Sequence, residues 1–317
     1  MKNIYIQDLN ARDSVEDFFM IKKFNIKTST NNKPFCDMTL VDSSGEINAK
    51  IWDIPKDFVP FSEGSLVKIR GTVSEWNGSN QVVITKIRLA VDSDQYNISD
   101  FLMTAPEDSN TMYAFIYSYA DKITDSDLRA LTTELLTLHK KEMHYFPAAM
   151  SNHHSIFGGL LYHTKRMLEM AEKMCQVYTM LNSDYLYCGV ILHDIGKIYE
   201  LQSNEHGIVS SYTKAGQLLG HIIQGIKLVH IVGSSLNIDE DKLLLVEHML
   251  LSHHNEPEYG SPKRPMFPEA EMLHYLDIMD ATIYDMEYAL DSTSEGEFSD
   301  KVWTLNNRKL YKKKDMK

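Results

Sequence analysis

The feature that most constrains this chain is an apolar run that ends in two ionisable residues. The stretch from Leu186 to Leu192 is almost wholly apolar, and His193 and Asp194 follow it at once, with Lys197 three residues later. A buried carboxylate is costly unless it is paired or coordinates a metal, and imidazole beside carboxylate suits a transition-metal or magnesium-like site. The alternative is an ordinary helix end capped by the His and the Asp. The other histidines of the chain decide between the two.

Those histidines are confined to one part of the sequence. All 13 lie between His139 and His274, and the first 138 residues contain none. Charge is divided as well, because residues 1–95 hold 12 Lys and Arg against 13 Asp and Glu, while the remainder holds 20 against 31. A chain of 317 residues can form two domains with separate cores. We therefore expect two domains of different chemistry. The net charge of −12 argues against a protein that coats nucleic acid by charge alone.

The first part of the chain alternates apolar and polar residues with the period of a β-strand. The predicted strands are Val15 to Thr28, Phe35 to Val41, Glu46 to Trp52, Leu66 to Glu75 and Gln81 to Ala90. An Asn-Gly pair at residues 77–78 indicates a tight turn, and residues 55–64 leave room for a short helix. Five short strands with one helical interruption predict a small barrel of the oligonucleotide-binding (OB) type over residues 1–95.

An OB barrel would offer a groove of aromatic and cationic side chains to a single nucleic-acid strand. The candidate contacts are Phe35, Lys50, Trp52, Lys68, Arg70 and Trp76. A barrel this small also needs large side chains inside, and we favour a core position for Phe35 and Trp52. Trp76 stands at a hairpin tip, where contact with a ligand and a structural role are equally open. The three cations have a plain alternative, the solvated face of a strand.

The second part of the chain has the period of α-helices. Residues 96–110 are polar and form a predicted linker, and helical patterns then cover residues 111–300 apart from an insertion-like segment at 203–211. Residues 301–317 form a basic tail that could contact phosphates, although we favour a frayed, solvated terminus. The predicted fold class is thus multidomain, α and β, with a small N-terminal OB-type barrel followed by an all-α domain.

Within the helical part, histidines and aspartates recur at the edges of apolar helical stretches. A lone histidine on such a face is more often a satisfied core residue than a ligand. A series spread over about a hundred residues is harder to explain as structure. In chain order the series is His163, His193-Asp194, His221, His253-His254, Asp277 and Asp280. The series favours a metal site over a capped helix end.

This series resembles the HD superfamily of metal-dependent phosphohydrolases, of which His193-Asp194 is the namesake doublet. With the OB-like module and the motifs Phe146 to Ala149, Asn152 to His154, Gly158 to Thr164 and Gly260 to Lys263, the chain is similar to the YhaM-type 3′-to-5′ exoribonucleases over nearly its whole length. The resemblance implies an all-α HD domain and a metal-dependent hydrolase. It also implies an exonuclease that cuts single-stranded RNA, with single-stranded DNA as a further substrate, into nucleoside 5′-monophosphates.

The resemblance also implies a ligand set. His163, His193, Asp194 and Asp277 would hold a first divalent ion, and Asp194 would bridge to a second. The second ion would be held by His221, His253 and His254. Imidazole and carboxylate together suit manganese, iron, cobalt or zinc better than calcium, and we expect manganese, with iron, cobalt, zinc and magnesium as alternatives. Two ions about 3.5–4 Å apart stabilise both the attacking and the leaving oxygen of a phosphoryl transfer.

Several roles stay open in the sequence. Asp277 and Asp280 lie one helical turn apart, so either could be the terminal ligand; the family pattern favours Asp277. His253 and His254 can both face a metal only near a helix end. Lys197 could hold a substrate phosphate or could instead satisfy a helix C-terminus. His153 and His154 could line the cleft or lie on the surface. Further cations, Lys263 and Arg264, are candidates for contact with the nucleic-acid backbone.

Two other functions compete with the exonuclease. An HD phosphohydrolase of small nucleotides needs no strand-holding module, and a strand-binding accessory protein needs no intact set of ionisable groups.

We also expect a cytoplasmic protein. Neither a membrane-spanning run nor a signal-peptide pattern is present, and three widely spaced cysteines indicate neither a disulfide framework nor a thiolate zinc site. Aromatic helices favour self-association into a homo-oligomer.

Overall fold

The chain forms two compact units, residues 1–104 and 105–317. A computed structural model describes residues 2–52, 54, 58, 60–76, 78–91, 93–149, 154–204 and 207–314. The break between the units falls inside the segment predicted to be a linker. Among the described residues, no helix is long and apolar enough to span a bilayer.

The first unit is a closed five-stranded barrel. Its strands are β1 (Ser14–Thr28), β2 (Pro34–Asp42), β3 (Gly45–Ile51), β4 (Leu66–Trp76) and β5 (Ser79–Leu89). They close in the order β1-β2-β3-β5-β4, and only the β3–β5 pairing is parallel. The OB-type fold predicted from the sequence is therefore confirmed, and each predicted strand lies within two residues of the observed one.

The alternation of the strands fills the barrel interior with apolar side chains. On β3, Ile47, Ala49 and Ile51 point inward and are buried, and the residues between them face outward. In the segment 55–64, where a short helix was predicted, residues 55–57 and 59 lie outside the described residues, and residues 58 and 60–64 are not helical.

The second unit is helical. Its helices are α1 (Ser109–Lys122), α2 (Ser126–Leu138), α3 (Lys140–Met143), α4 (Gly159–Val177), α5 (Ser183–Leu192), α6 (Lys197–Glu200), α7 (Lys214–Ser235), α8 (Glu240–Ser252) and α9 (Pro268–Asp291). A short hairpin, β6 (Leu201–Ser203) and β7 (Val209–Tyr212), occupies the segment predicted to be an insertion.

The apolar run noted in the sequence becomes α5, the central helix of this unit. Asn182 caps its start by accepting hydrogen bonds from the backbone N–H groups of Asp184 and Tyr185. Every residue from Leu186 to Leu192 is buried, so α5 is enclosed by the other helices on all sides. The helix therefore delivers the residues that follow it, His193 and Asp194, to the interior of the domain.

Candidate metal centre

Five helices bring the histidines and aspartates of the series to one place. His163 lies on α4 and Asp277 on α9, and both approach His193 at the end of α5: one nitrogen or oxygen atom of each lies within 4.8 Å of the others. A second group, formed by His221 on α7 and by His253 and His254 after α8, meets the same limit. Because α8 ends at Ser252, His253 and His254 lie beyond its last turn, so both can face one point.

Asp194 lies between the two groups. Its Oδ2 is 3.3 Å from the Nε2 of His193 and 3.9 Å from the Nε2 of His163. Its Oδ1 is 3.6 Å from the Nε2 of His221 and 4.0 Å from the Nε2 of His253. One carboxylate thus presents one oxygen to each group, which is the arrangement that a bridging ligand requires.

Each ring is oriented by a hydrogen bond to its other nitrogen. The Nδ1 of His193 donates to the carbonyl of Val190 at 2.8 Å, and that of His253 donates to the carbonyl of Leu250 at 2.7 Å. The Nδ1 of His254 lies 2.6 Å from the carbonyl of Tyr259. Such contacts fix the tautomer that leaves Nε2 with a lone pair for a metal.

The hydrogen bonding of the donor atoms indicates whether they could hold divalent ions. The Nε2 atoms of His193, His221 and His253 and the Oδ1 of Asp194 are buried, and none has a hydrogen-bond partner in the described part of the chain. Buried polar atoms are rarely left without a partner. A mixed set of imidazole and carboxylate is typical of transition-metal sites. The residues present therefore fit the metal ions that the resemblance implies.

Asp280 orients His163 from behind. Its Oδ2 lies 2.7 Å from the Nδ1 of His163 and 2.7 Å from the Nε2 of His154, while its Oδ1 is 2.6 Å from the Nε of Arg166. The Asp280 carboxylate is thus already surrounded by two imidazoles and a guanidinium. Asp277, in contrast, lies 3.3 Å from the Nε2 of His163. His154 is fully buried, so the surface position considered for it is wrong.

Charge in the centre is set by burial and by close partners. Burial opposes ionisation of Asp194, yet the ammonium of Lys197, with the neighbouring His193, holds the pKa of its carboxyl well below the usual range. Burial also opposes ionisation of Asp277, whose pKa is lowered well below its usual value by His163 and His193. Both carboxylates are therefore ionised and available to a cation.

The histidines divide into two types. Burial, with neighbouring His254 and His193, holds the pKa of His253 well below its usual range, so this ring is neutral and ready to bind. Burial also lowers the pKa of His163, but the hydrogen bonds that its ring donates to Asp277 and Asp280 outweigh burial and raise this pKa to about 9. A metal ion at this position would take the place of that proton.

Lys197 contacts the carboxylate rather than a helix carbonyl. Its Nζ donates to the Oδ2 of Asp194 at 2.6 Å, and the lysine is buried. Burial lowers the pKa of this ammonium, but Asp194 more than offsets that effect, and the pKa is raised overall. Lys197 therefore remains a cation beside the centre. Gly196 allows this turn to pack closely on α7, because a Cβ there would lie 2.0 Å from the carbonyl oxygen of His221.

A kink in α7 places His221, and sequence reasoning missed the residue that holds it. Gly220 has φ 68° and ψ 171°, which divides α7 into two helices and frees the backbone N–H of His221. That N–H donates to the Oε1 of Glu200 at 3.0 Å, and the His221 Nδ1 lies 3.2 Å from Glu200 Oε2. No spacing in the sequence indicates Glu200. Arg166, one turn after His163, was also missed.

Replacing Gly220 should test the kink. This φ and ψ combination is open almost only to glycine, so we expect Gly220→Ala to cost about 1–3 kcal/mol of stability. We also expect it to shift His221 and to weaken the ion held by that group more than the ion held by His163. Calorimetric titration with Mn²⁺ measures both affinities. Gly225→Ala is the control, because it lies in the regular part of α7, where a Cβ would meet Leu250 at 3.4 Å and the backbone of Gly196 at 3.6 Å, distances of ordinary contact. Wild-type affinities in Gly220→Ala would contradict the role given to the kink.

The barrel residues fall on two surfaces. Phe35 and Trp52 stack outside β2 and β3 with ring centroids 4.8 Å apart, and the Lys50 Nζ is 5.3 Å from the centre of the Trp52 ring. Trp52 is 42% exposed and Phe35 is half-buried, so the core positions favoured for them are wrong. The alternation of side chains along a strand explains this, because Phe35 is next to inward-facing Cys36 and Trp52 is next to inward-facing Ile51.

The remaining candidates lie apart from this stack. Lys68 and Arg70 line an open groove of about 990 Å³ over β4 and β5, where both approach Glu16 at 3.9 and 3.0 Å. Trp76, at the end of β4, is 63% exposed. In the helical unit, Lys263 is exposed and Arg264 pairs with Glu256 at 2.8 Å.

Comparison with known proteins now gives the class. The HD domain model matches residues 160–282, which contain every proposed metal ligand, and a model described as an OB-fold nucleic acid binding domain matches residues 21–90. The chain is therefore an OB-fold module joined to an HD-domain hydrolase, a class that depends on divalent metal.

The relatives give the family. The 3′-5′ exoribonuclease YhaM of Bacillus licheniformis is 38% identical over 301 residues, 95% of each chain, and that of Listeria welshimeri is 38% identical over 305 residues, 96% of each. The chain belongs to this family of 3′-5′ exoribonucleases. Among solved structures, the second OB-fold domain of replication protein A from Methanococcus maripaludis aligns with 30% of this chain and 98% of its own, at 14% identity. Its TM-score of 0.24 is too low to support an argument.

Proposed function

We propose that this protein shortens single-stranded RNA from its 3′ end and releases nucleoside 5′-monophosphates in the cytoplasm. The observation that carries the proposal is the position of Asp194, one oxygen toward each of two histidine groups, in a chain of the exoribonuclease family. Single-stranded DNA is the second substrate to test.

Two divalent ions would supply charge stabilisation of the phosphoryl transfer, and manganese is the first metal to test. His163, His193 and Asp277 would hold one ion, and His221, His253 and His254 the other, with Asp194 between them. Asp280 and Glu200 keep the rings of His163 and His221 in place. Their contribution is preorganisation, which removes the cost of arranging ligands during the reaction.

Lys197 is suited to the substrate phosphate. Its ammonium is held beside Asp194 and stays charged, so it offers a fixed positive charge where the non-bridging oxygens of a phosphate would approach. Lys263 is exposed in the loop that follows His254 and would contact the backbone of the strand.

The stack formed by Phe35 and Trp52 is the best candidate for binding the strand on the barrel. OB folds bind oligonucleotides over strands 2 and 3, and this stack, with Lys50, lies there. Aromatic rings stack on any base, and a lysine beside them attracts the phosphates.

Removing that stack should separate binding from cleavage. We expect Phe35→Ala with Trp52→Ala to reduce kcat/KM on a 12-nucleotide RNA by at least about tenfold, since each stacked base contributes ~1–3 kcal/mol. The loss on a dinucleotide should be much smaller. Trp76→Ala tests the hairpin tip in the same assay. An equal loss on both substrates would contradict the role given to the stack.

Metal removal tests the hydrolase directly. We expect dialysis against a chelator to abolish release of nucleoside monophosphates, and added Mn²⁺ to restore it more fully than Ca²⁺, because calcium prefers an all-oxygen site. Chromatography of the products measures the outcome. Full activity after the metal content has fallen below one ion per hundred chains would rule out the proposed chemistry. Release of product from small nucleotides but not from RNA would favour the small-nucleotide hydrolase.

A further inference from the structure

The basic segment predicted to be a frayed tail is folded as far as the structure describes it, to residue 314; residues 315–317 lie outside the described residues. Residues 296–312 form what we call the C-terminal hairpin. Its two sides are joined by backbone hydrogen bonds from Lys312 N to Glu297 O at 2.9 Å, from Ser299 N to Leu310 O at 2.8 Å and from Val302 N to Arg308 O at 2.9 Å. The frayed terminus favoured from the sequence is therefore wrong for these residues.

One side of the C-terminal hairpin is anchored in the helical unit. Ser299 and Leu305 are buried, and the turn at residues 303–305 lies against α9, where Thr304 is close to Asp285. The same helix carries Asp277 eight residues earlier, a rise of about 12 Å. The hairpin is thus fixed to the helix that reaches the metal centre.

The other side of the hairpin presents two aromatic rings to solvent. Phe298 and Tyr311 are opposite one another, and the hydrogen bonds on either side of them make them a non-hydrogen-bonded pair, in which side chains are close. Their ring centroids are 5.2 Å apart, and the residues are 63% and 48% exposed. Period-two alternation places Lys309 and Lys313 on the same side as Tyr311.

The charge of this element is opposite to that of the chain. The C-terminal hairpin and the two residues that follow it, 296–314, contain six Lys and Arg against two Asp and Glu, although the whole chain has a net charge of −12. None of these cations forms an ion pair with any residue in the described ranges. Five of the six are exposed. An unpaired cluster of cations on an acidic protein is complementary to a polyanion.

From this combination we infer that the C-terminal hairpin is a binding surface for single-stranded RNA. Bases stack on the exposed pair Phe298 and Tyr311, while Lys309 and Lys313 contact the phosphates on either side. Aromatic rings between cations are the usual means of holding a single strand without reading its sequence. A second copy of this chain is a poorer occupant, because two such faces would bring lysines together. The inference rests on the proposed function for the identity of the strand.

The test uses the full chain in an Asp194→Asn background, which should hold RNA without cutting it. Fluorescence anisotropy gives the dissociation constant of a labelled 12-nucleotide RNA. Phe298→Ala with Tyr311→Ala should raise it at least about tenfold. Lys309→Gln with Lys313→Gln should flatten its dependence on salt, because each lost phosphate contact removes about 0.7 from the slope of log K against log salt. The matched control is Lys173→Gln with Tyr178→Ala, an exposed pair toward the far end of α4 from His163.

The outcomes separate this inference from the proposed function. Dissociation constants within twofold of the parent in both hairpin variants would overturn the inference. Loss of self-association in sedimentation, with RNA affinity unchanged, would also overturn it and make the face an interface between chains. RNA that binds wild type tightly but is never hydrolysed with Mn²⁺ would instead reject the proposed function, while the anisotropy comparison would still decide the role of the hairpin.

Discussion

Replacing Asp194 with Asn is expected to reduce phosphodiester hydrolysis by at least about 10³-fold. Bound metal supplies several kcal/mol of transition-state stabilisation, and each 1.36 kcal/mol is a factor of ten in rate. The two oxygens of Asp194 face the two histidine groups, one oxygen to each. The amide that replaces the carboxylate is neutral, so the variant lacks the negative charge that both ions would share. The metal content of the purified variant should fall with the activity.

The matched control is Asp121→Asn, which makes the same change at an exposed position on α1. Circular dichroism would establish that both variants are folded. Activity within tenfold of wild type in Asp194→Asn would mean that the carboxylate does not hold the metal.

Replacing Asp280 with Ala is expected to destabilise the helical unit by about 3–5 kcal/mol, the usual effect of removing one partner from a buried ion pair. The carboxylate is fully buried and contacts His154, His163 and Arg166. Urea unfolding monitored by circular dichroism measures the loss. We also expect the affinity for the ion at His163 to fall 10- to 100-fold, roughly the effect of removing a group that orients a ligand.

The stabilisation from Asp280 should depend on pH with a definite sign. Burial opposes its ionisation, but His154 and His163 lower the pKa of the carboxyl in the folded protein. Its contribution is therefore complete above the unfolded pKa of about 3.9 and is lost as the pH falls below it. Asp280→Asn, which keeps the shape and part of the hydrogen bonding, should lose less stability than Asp280→Ala. Equal stability of Asp280→Ala and wild type at pH 7 would contradict this account.

The barrel shows how much of the fold local pattern can predict. Strand positions follow from alternation, because each inward residue must be apolar for the barrel to fill. The same alternation predicts that Phe35 and Trp52 face outward, yet their size suggested a core position. The alternation was the better guide, since Lys50 on β3 and Trp52 just after it lie two residues apart and so share a face.

The metal centre shows the limit of sequence reasoning. Motifs pointed to the histidines and aspartates, and the structure brings those residues together. Glu200 and Arg166 were missed because their contacts depend on how α6, α7 and α9 pack, which no local spacing encodes. The C-terminal hairpin was missed for a similar reason. Its two sides pair across a turn, Phe298 with Tyr311 and Val302 with Arg308. The run of lysines on one side, considered alone, indicates only a solvated tail.

The most direct test of the central claim is digestion of a 5′-labelled single-stranded RNA with Mn²⁺, by wild type beside Asp194→Asn. The account predicts a ladder of products that retain the 5′ label and shorten step by step in wild type, and intact RNA in the variant. Intact RNA in both lanes, or the same ladder in both, would contradict the assignment of a metal-dependent 3′-to-5′ exonuclease centred on Asp194.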